Sequence, residues 1–281
     1  MRKLTTFLVL IALSVCVAAA DEARRPLRVG LTPAFLHDQH RLLTYWRSHM
    51  ELTLGRNVEF VVRDSYSETM DLLRLEKLDF AWICDYPYLR LKREVRLLAV
   101  PVYRGKPLYR SYIIVPATDN RSKSLDDLRG TVFAFADPYS NTGYLYPRYA
   151  LTKRSADPNA FFGRTFFTWS HRGVVEAVAT GLAQGGAVDS YVWDALAELR
   201  PELTGRTRIV ERSPEFGFPP LVAHRSVSDA DFRAMQRMLL DMPSSPHGAE
   251  ILRQFRLDGF VEGSPKLYDG VAAMMRAFGE Q

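Results

Sequence analysis

Residues 133–147 decide the fold, and they read Phe-Ala-Phe-Ala-Asp-Pro-Tyr-Ser-Asn-Thr-Gly-Tyr-Leu-Tyr-Pro. The apolar residues at 131–136 predict a short strand, which ends at an Asp-Pro pair because proline cannot donate to a strand ladder. Three small polar residues, Ser140, Asn141 and Thr142, then lead through a glycine into an aromatic segment with helical character. The stretch therefore predicts a strand that turns directly into a helix.

Such a junction supports two interpretations. Hydroxyls, a side-chain amide and unpaired backbone N–H groups meet at the positive end of a helix, which suits a bound anion. Serine, asparagine and threonine are also the usual residues at an ordinary helix N-cap. The local pattern alone leaves both interpretations open.

The rest of the chain alternates between apolar strands and amphipathic helices. In the first part, strands are predicted at 27–31, 57–62 and 78–83, and helices at 38–54 and 65–77. Ser65 and Glu68 form a capping box at the start of the second helix. This alternation predicts parallel strand pairing in an α/β sheet, where ligands lie beyond the carboxyl ends of the strands. The loops at those ends are 32–34, 65–67 and 84–86.

Residues 133–147 begin a second α/β unit, and the chain crosses between the two units near 111–116 and 212–221. Neither crossing has a Gly/Ser-rich linker, which favours a stiff two-strand hinge with a ligand cleft between two lobes. The predicted division is a signal peptide at 1–20, a discontinuous first lobe at 21–112 and 214–281, and a second lobe at 113–213.

The N-terminal segment has the features of a secretory signal. Arg2 and Lys3 precede a short apolar run, and Ala18-Ala19-Ala20 offers small residues for cleavage. A periplasmic protein is therefore expected. Lipidation at Cys16 is the less favoured alternative, because valine precedes that cysteine. After cleavage, Cys84 has no partner for a disulfide.

Charge and residue spacing exclude several classes of function. The formal net charge of +5 falls to +3 without Arg2 and Lys3, and it is spread along the chain. Nucleic-acid binding normally needs a concentrated basic patch, and none is visible. The six histidines show no metal-ligand spacing, so neither metal nor cofactor is expected. A small acidic ligand suits the mild basic excess.

Taken in order, several segments resemble one known family. They are Gly-Leu-Thr-Pro at 30–33, Leu-Asp-Phe-Ala-Trp at 78–82, Tyr-Arg-Ser-Tyr-Ile-Ile-Val at 109–115, Ser-Leu-Asp-Asp-Leu-Arg-Gly at 124–130 and Asp-Pro-Tyr-Ser-Asn-Thr-Gly-Tyr at 137–144. They look like the phosphate, phosphite and phosphonate-binding components of bacterial ABC importers. The resemblance implies a type II periplasmic binding protein fold and a phosphorus oxyanion as ligand.

The resemblance also implies which side chains hold the ligand. Residues that match the family's pocket, or lie near its positions, are Tyr66, Tyr109, Ser140, Asn141, Thr142, His171 and Tyr191. A protonated His171 would add charge-assisted donation to the oxyanion.

Two departures from the family pattern bear on the ligand. Asn141 stands where the family has a hydroxyl residue, and its amide can imitate that donor. The acids that hold the amino group of aminoethylphosphonate fall near Tyr191 and Pro219 here, which argues against an aminoalkyl ligand. Asp189 and Asp194 are alternative partners for an amine, although Asp189 is equally placed to cap a helix.

Three functions are compatible with these features. A monomeric solute receptor would deliver its oxyanion to an ABC permease, whereas the same module could instead report to a membrane sensor kinase. The third function is an enzyme, for which Ser140, His171 and Asp189 form an imaginable triad. No nucleophile elbow or other catalytic motif accompanies that triad, so no catalytic residue is expected.

Overall fold

The structure is a computed structural model that describes residues 25–32 and 40–280. The predicted signal peptide with Cys16, and most of the predicted loop 32–34, lie outside the described residues. Among the residues described, no helix combines the length and the apolar character needed to cross a membrane.

The elements follow the predicted order of strands and helices. The first part of the chain contains β1 (Leu27–Leu31), α1 (His40–Leu54), β2 (Val58–Val62), α2 (Tyr66–Arg74), β3 (Phe80–Trp82), α3 (Asp85–Arg90), β4 (Val95–Val102) and β5 (Leu108–Tyr109). The middle part contains β6 (Ser111–Pro116), β7 (Val132–Phe135), α4 (Tyr146–Lys153), β8 (Arg164–Phe167), α5 (His171–Ala179), β9 (Gly185–Asp189), α6 (Ser190–Leu199), α7 (Pro201–Thr204) and β10 (Thr207–Arg212). The last part contains β11 (Phe216–Gly217), β12 (Leu221–His224), α8 (Asp229–Leu240), α9 (Pro246–Phe255), β13 (Gly259–Val261) and α10 (Asp269–Ala277).

Two sheets define two lobes. The first lobe has a six-stranded sheet in the order β13-β4-β12-β3-β1-β2, and the second has a five-stranded sheet in the order β10-β6-β9-β7-β8. Strand β1 pairs in parallel with both β2 and β3, as predicted, while β12 joins the first sheet in antiparallel orientation. The two-lobed α/β fold expected from the sequence is confirmed.

Local sequence explains how each lobe holds its elements. In the first lobe, Ser65 and Glu68 form the predicted capping box of α2. The fully buried indole of Trp46 packs edge-on against Trp82 and Phe255, so α1 and α9 enclose the same face of the sheet. In the second lobe, Phe133 stacks on Phe162 with ring centroids 4.2 Å apart.

A short ribbon joins the lobes. The segment 109–115 is divided into β5 and β6, because the chain leaves the ribbon and enters the second sheet there. Strand β5 pairs with β11 in an antiparallel ribbon of two residues each. The chain thus crosses twice through this ribbon, and the predicted boundaries at 112/113 and 213/214 stay predictions beside it.

Candidate functional site

The polar junction after β7 is the centre of the site. Ser140 is the N-cap of the helix that follows, and its Oγ accepts a hydrogen bond from the backbone N–H of Gly143 at 3.0 Å. Ser140, Asn141 and Thr142 are all fully buried. The capping interpretation is therefore correct for Ser140, and it accounts for only part of the polar groups buried here.

Pro147 shapes the first turn of this helix. The turn Asn141–Leu145 is a π-helix, which precedes α4, and Pro147 has no N–H to donate to the carbonyl oxygen of Gly143. That oxygen instead accepts from the N–H of Ala136, and the carbonyl of Thr142 accepts from Ser111 Oγ at 2.6 Å. The freed carbonyls therefore tie the turn to β6 and to the end of β7.

Gly143 is required because the turn lies against its neighbours. A Cβ at this position would lie 2.5 Å from Ala136 Cβ and 2.9 Å from His171 Cε1, both closer than real side chains approach. The absence of a side chain lets the turn touch the ring of His171. Position 143 therefore sets the distance between the polar turn and α5.

His171 is buried at the start of α5 and is neutral. Its Nδ1 accepts from the backbone N–H of Asp189 at 3.1 Å, so the ring hydrogen lies on Nε2, which is 3.3 Å from Ser140 Oγ. Burial lowers the pKa of His171 to about 3. His171 therefore donates to Ser140 as a neutral ring, and the condition for charge-assisted donation, a protonated imidazole, is not met.

The oxygen of Ser140 now has two donors directed at it. Gly143 N–H and His171 Nε2–H occupy its two acceptor positions. The hydroxyl hydrogen of Ser140 is therefore left to donate elsewhere. A neutral histidine and a helix turn together orient one O–H donor.

The first lobe contributes a buried carboxylate, Asp85, at the start of α3. Its Oδ1 accepts from Tyr109 Oη at 2.9 Å, from Cys84 Sγ at 3.0 Å and from the backbone N–H of Tyr86 at 2.9 Å. Its Oδ2 accepts from Asn141 Nδ2 at 2.8 Å, across the cleft. Burial raises the pKa of Asp85 to about 6, while the hydrogen bonds from Cys84, Tyr109 and Asn141 favour the ionised form.

A second bond across the cleft lies beside the first. The backbone N–H of Tyr66, in the first turn of α2, donates to Asp137 Oδ2 in the second lobe at 3.1 Å. The ring of Tyr66 is buried and packs with Cys84 and Tyr139. Burial raises the pKa of the Asp137 carboxyl. Both lobes therefore meet through carboxylates that accept from the opposite lobe.

Two buried atoms at the junction have no hydrogen-bond partner among the described residues. They are Thr142 Oγ1 and Asn141 Oδ1, which lie in the same turn. Unsatisfied buried polar atoms cost free energy, and such atoms often mark a ligand site. We call the group around them the cradle, which consists of Tyr66, Asp85, Tyr109, Ser140, Asn141, Thr142 and His171.

Tyr191 is hydrogen-bonded outside the cradle. Its hydroxyl donates to the backbone oxygen of Phe255 at 2.6 Å, in the first lobe. Asp189 caps α6 by accepting from the N–H groups of Tyr191 and Val192, so the capping interpretation of Asp189 is correct. Burial raises the pKa of Asp189 to about 8.

The other candidate partner for an amine, Asp194, is also engaged, as is Pro219, where the family has an acid. Asp194 Oδ2 accepts from Tyr103 Oη at 2.7 Å and pairs with Arg104 at 2.9 Å. The carbonyl oxygen of Pro219 accepts from the indole N–H of Trp82. These contacts link protein groups to one another around the cleft.

The imagined triad lacks its essential geometry. His171 meets the backbone N–H of Asp189 and not its carboxylate, and the hydrogen on Nε2 prevents the ring from taking a proton from Ser140. Among the residues that the structure describes, no group of three or more His, Cys, Asp or Glu side chains is placed to hold a metal ion.

Sequence reasoning missed Asp85 and Asp137 as members of the site. Both lie just after the carboxyl end of a strand, and the loop 84–86, which contains Asp85, was expected at the ligand-binding edge of the sheet. The position of Asp85 directly after an apolar strand was the signal that pointed to it. Its partner Asn141 is 56 residues away, which no local pattern indicates.

Known proteins resemble the chain in sequence and in structure. The phosphonates-binding periplasmic protein of Escherichia coli (strain K12) is 23% identical over 247 residues, which cover 84% of this chain and 72% of that protein. The structure of a Prochlorococcus marinus binding protein in complex with methylphosphonate superimposes with a TM-score of 0.83 at 18% identity, covering 91% of this chain and 98% of the other. The structure of a binding protein component of an ABC phosphonate transporter from Pseudomonas aeruginosa superimposes with a TM-score of 0.82 at 21% identity. That superposition covers 89% of this chain and 85% of the other.

A family model provides the final comparison. Residues 29–268 match the model described as the ABC transporter, phosphonate, periplasmic substrate-binding protein. The match includes both lobes, the ribbon and the cradle, and the expected resemblance is confirmed. This chain belongs to the family of periplasmic substrate-binding proteins of phosphonate ABC transporters.

Proposed function

We propose that the protein binds phosphate, phosphite or a small alkylphosphonate in the cradle and delivers it to an ABC permease. The carrying observation is the fully buried, unpartnered Thr142 Oγ1 beside the oriented hydroxyl of Ser140. Two O–H donors at the start of a helix, where backbone N–H groups point outward, suit the oxygens of a phosphorus oxyanion. Family membership supports the same ligand class.

The proposed ligand residues have unequal roles. Ser140 and Thr142 donate to the oxyanion, while His171 holds Ser140 in the orientation that allows this. Tyr109 acts through Asp85, because its hydroxyl is already donated to that carboxylate. Tyr66 contributes a buried ring that closes the cradle from the first lobe. The hydroxyl of Tyr191 stabilises the contact between the lobes.

An aminoalkyl phosphonate is a poor candidate for the ligand. Asp85, Asp137 and Asp189 are the buried carboxylates near the cradle, and each accepts two or more hydrogen bonds from protein groups. An ammonium group would have to replace those donors. The hydrogen on His171 Nε2 leaves Ser140 without a general base, which supports binding and transport over catalysis.

Isothermal titration calorimetry tests this proposal. Purified protein is titrated with phosphate, phosphite, methylphosphonate and 2-aminoethylphosphonate. Ser140→Ala and Thr142→Ala should each weaken binding by about 1.5–3 kcal/mol, because each removes a hydrogen bond to a charged acceptor. Ser48→Ala and Thr152→Ala, at exposed positions on helices, are the matched controls and should not change affinity.

Three results would contradict the proposal. They are an absence of binding to every phosphorus oxyanion, an equal loss of affinity in the control variants, and a clear preference for the amino compound.

The cleaved signal peptide, the monomeric state and a permease as partner in place of a sensor kinase are further parts of the proposal. Sedimentation of the exported protein and the identity of the neighbouring genes test those parts.

A further inference from the structure

The orientation of the Asn141 amide distinguishes this cradle from one built of hydroxyls. Its Nδ2 lies 2.8 Å from Asp85 Oδ2 and 3.2 Å from Tyr109 Oη. A carboxylate oxygen accepts and does not donate, so the network assigns nitrogen to that side of the amide. The side-chain oxygen, Oδ1, is consequently on the other side, buried and without a partner.

An unpartnered amide oxygen is best satisfied by a donor, which a ligand can supply. Neighbouring Ser140 and Thr142 offer O–H groups, which a hydroxyl at position 141 would also do, whereas Asn141 Oδ1 only accepts. A fully deprotonated phosphonate has only acceptor oxygens, so one of them would face the lone pairs of Oδ1. A buried acceptor facing another acceptor is costly, because neither is solvated.

The charges around the cradle act in the same direction. The titratable groups in and next to the cradle are Tyr66, Cys84, Asp85, Tyr109, Asp137, His171, Asp189 and Tyr268. Burial raises the carboxyl pKa of Asp85, Asp137 and Asp189, and the histidine is neutral. Within the described part of the chain, no Lys or Arg side chain is hydrogen-bonded to a cradle residue. A second negative charge on the ligand would therefore meet no Lys or Arg that is hydrogen-bonded to the cradle in the described residues, and any ionised carboxylate there would repel it.

We propose that Asn141 makes the protein select the singly protonated form of its ligand, with the P–OH group donating to Asn141 Oδ1. The two remaining oxygens of the monoanion accept from Ser140 and Thr142. The inference rests on the proposed function, since it assumes that a phosphorus oxyanion occupies the cradle. It adds a specificity rule, because the ligand must carry both an oxyanion and an acidic hydrogen.

Phosphorus NMR reads the protonation state of the bound ligand directly. Methylphosphonate is added to the purified protein, and the ³¹P shifts of the free and bound ligand are followed to a pH well above the second pKa of the free ligand. The free signal should move to the position of the dianion, while the bound signal stays at the position of the monoanion. A bound signal at the dianion position would overturn the inference. No bound signal at any pH would instead overturn the proposed function.

A sulfonate separates the effect of the hydrogen from the effect of charge. Methanesulfonate has the same tetrahedral shape and one negative charge but no acidic hydrogen, so it should bind at least about tenfold more weakly than methylphosphonate. It does not titrate, so any change in its affinity with pH reports the protein carboxylates instead. Equal affinity for the two compounds would contradict the inference.

A variant tests the residue itself. Asn141→Ser replaces the accepting amide with a hydroxyl that can donate, so the bound signal should move toward the dianion position as the pH rises. Asn159→Ser, at an exposed position, is the matched control and should behave as the unmodified protein does. A serine variant that keeps the monoanion signal would show that Asn141 does not select it. The NMR result on the unmodified protein stands even if this variant does not fold.

Discussion

The two lobes are held together in two different ways, at the cleft floor and at its rim. We define the floor by the bonds from Asn141 to Asp85 and from Tyr66 N–H to Asp137, all of which are buried. The rim consists of two ion pairs. They are Arg104–Asp194 at 2.9 Å and Arg256–Glu198 at 2.6 Å.

Exposure separates the two regions. In each rim pair one side chain is about two-thirds exposed, 66% for Arg104 and 64% for Glu198, whereas Asp85 and Asn141 are fully buried. Exposed ion pairs gain little free energy, because water screens the charges and long side chains lose freedom. Buried hydrogen bonds are costly to break, because the groups left behind have no water to replace the partner. The floor should therefore control stability and ligand choice, and the rim should influence neither strongly.

The largest effect is expected from Asp85→Ala. The substitution leaves the donors of Tyr109, Tyr86 and Asn141 buried without an acceptor, so the free energy of unfolding should fall by about 3 kcal/mol. Affinity for the ligand should fall with it, because Asn141 is no longer held. Chemical denaturation and calorimetry measure the two quantities.

Asp71→Ala is the control for this change. Asp71 is exposed on α2 and pairs with Arg74 inside the first lobe. Removing this ion pair should lower the free energy of unfolding by less than about 1 kcal/mol. If Asp85→Ala and Asp71→Ala lowered the free energy of unfolding by similar amounts, the distinction between a buried floor and exposed pairs would be wrong.

The sequence predicted the parts of this comparison that depend on local chemistry. The strand-to-helix junction at 133–147, the cap at Ser140 and the capping box at Ser65 follow from residues near one another in the chain. The double crossing between two α/β units followed from the order of the elements. These predictions are confirmed. They could be made from the sequence because propensity and turn chemistry act over a few residues.

Long-range packing decides what the sequence did not predict. Asp85 becomes part of the site only because the second lobe brings the amide of Asn141 against it. The sequence left the charge of His171 open, and burial together with a bond from Asp189 N–H keeps the ring neutral. Burial and distant partners fix protonation and amide orientation, and neither is written in a local pattern.

The pH dependence of stability sharpens the comparison through Asp189, a buried group next to the cleft. Burial raises the folded-state pKa of Asp189 to about 8, from an ordinary value of 3.8. Between pH 3.8 and about pH 8 the folded protein binds more protons at Asp189 than the unfolded chain does. The contribution of Asp189 to the free energy of unfolding is therefore fully present below about pH 4. That contribution is lost as the pH rises toward about 8.

Asp189→Asn should remove this loss. Asparagine also serves as an N-cap, so α6 keeps its cap. The free energy of unfolding of the variant should exceed that of the unmodified protein by on the order of 1 kcal/mol at about pH 8, and the two should be equal at about pH 4. Thermal unfolding at the two pH values measures the difference. A gain that is the same at both would show that ionisation of Asp189 is not its cause.

The smallest effect is expected at the rim. Arg104→Ala and Arg256→Ala each remove one exposed ion pair between the lobes, so each should lower the free energy of unfolding by less than about 1 kcal/mol. Arg74→Ala removes a similar pair inside one lobe and is the matched control. Added salt should abolish the differences among the three variants, because it screens exposed charges, while the deficit of Asp85→Ala persists. If instead either rim variant altered ligand affinity strongly at both low and high salt, the rim would control ligand choice together with the floor.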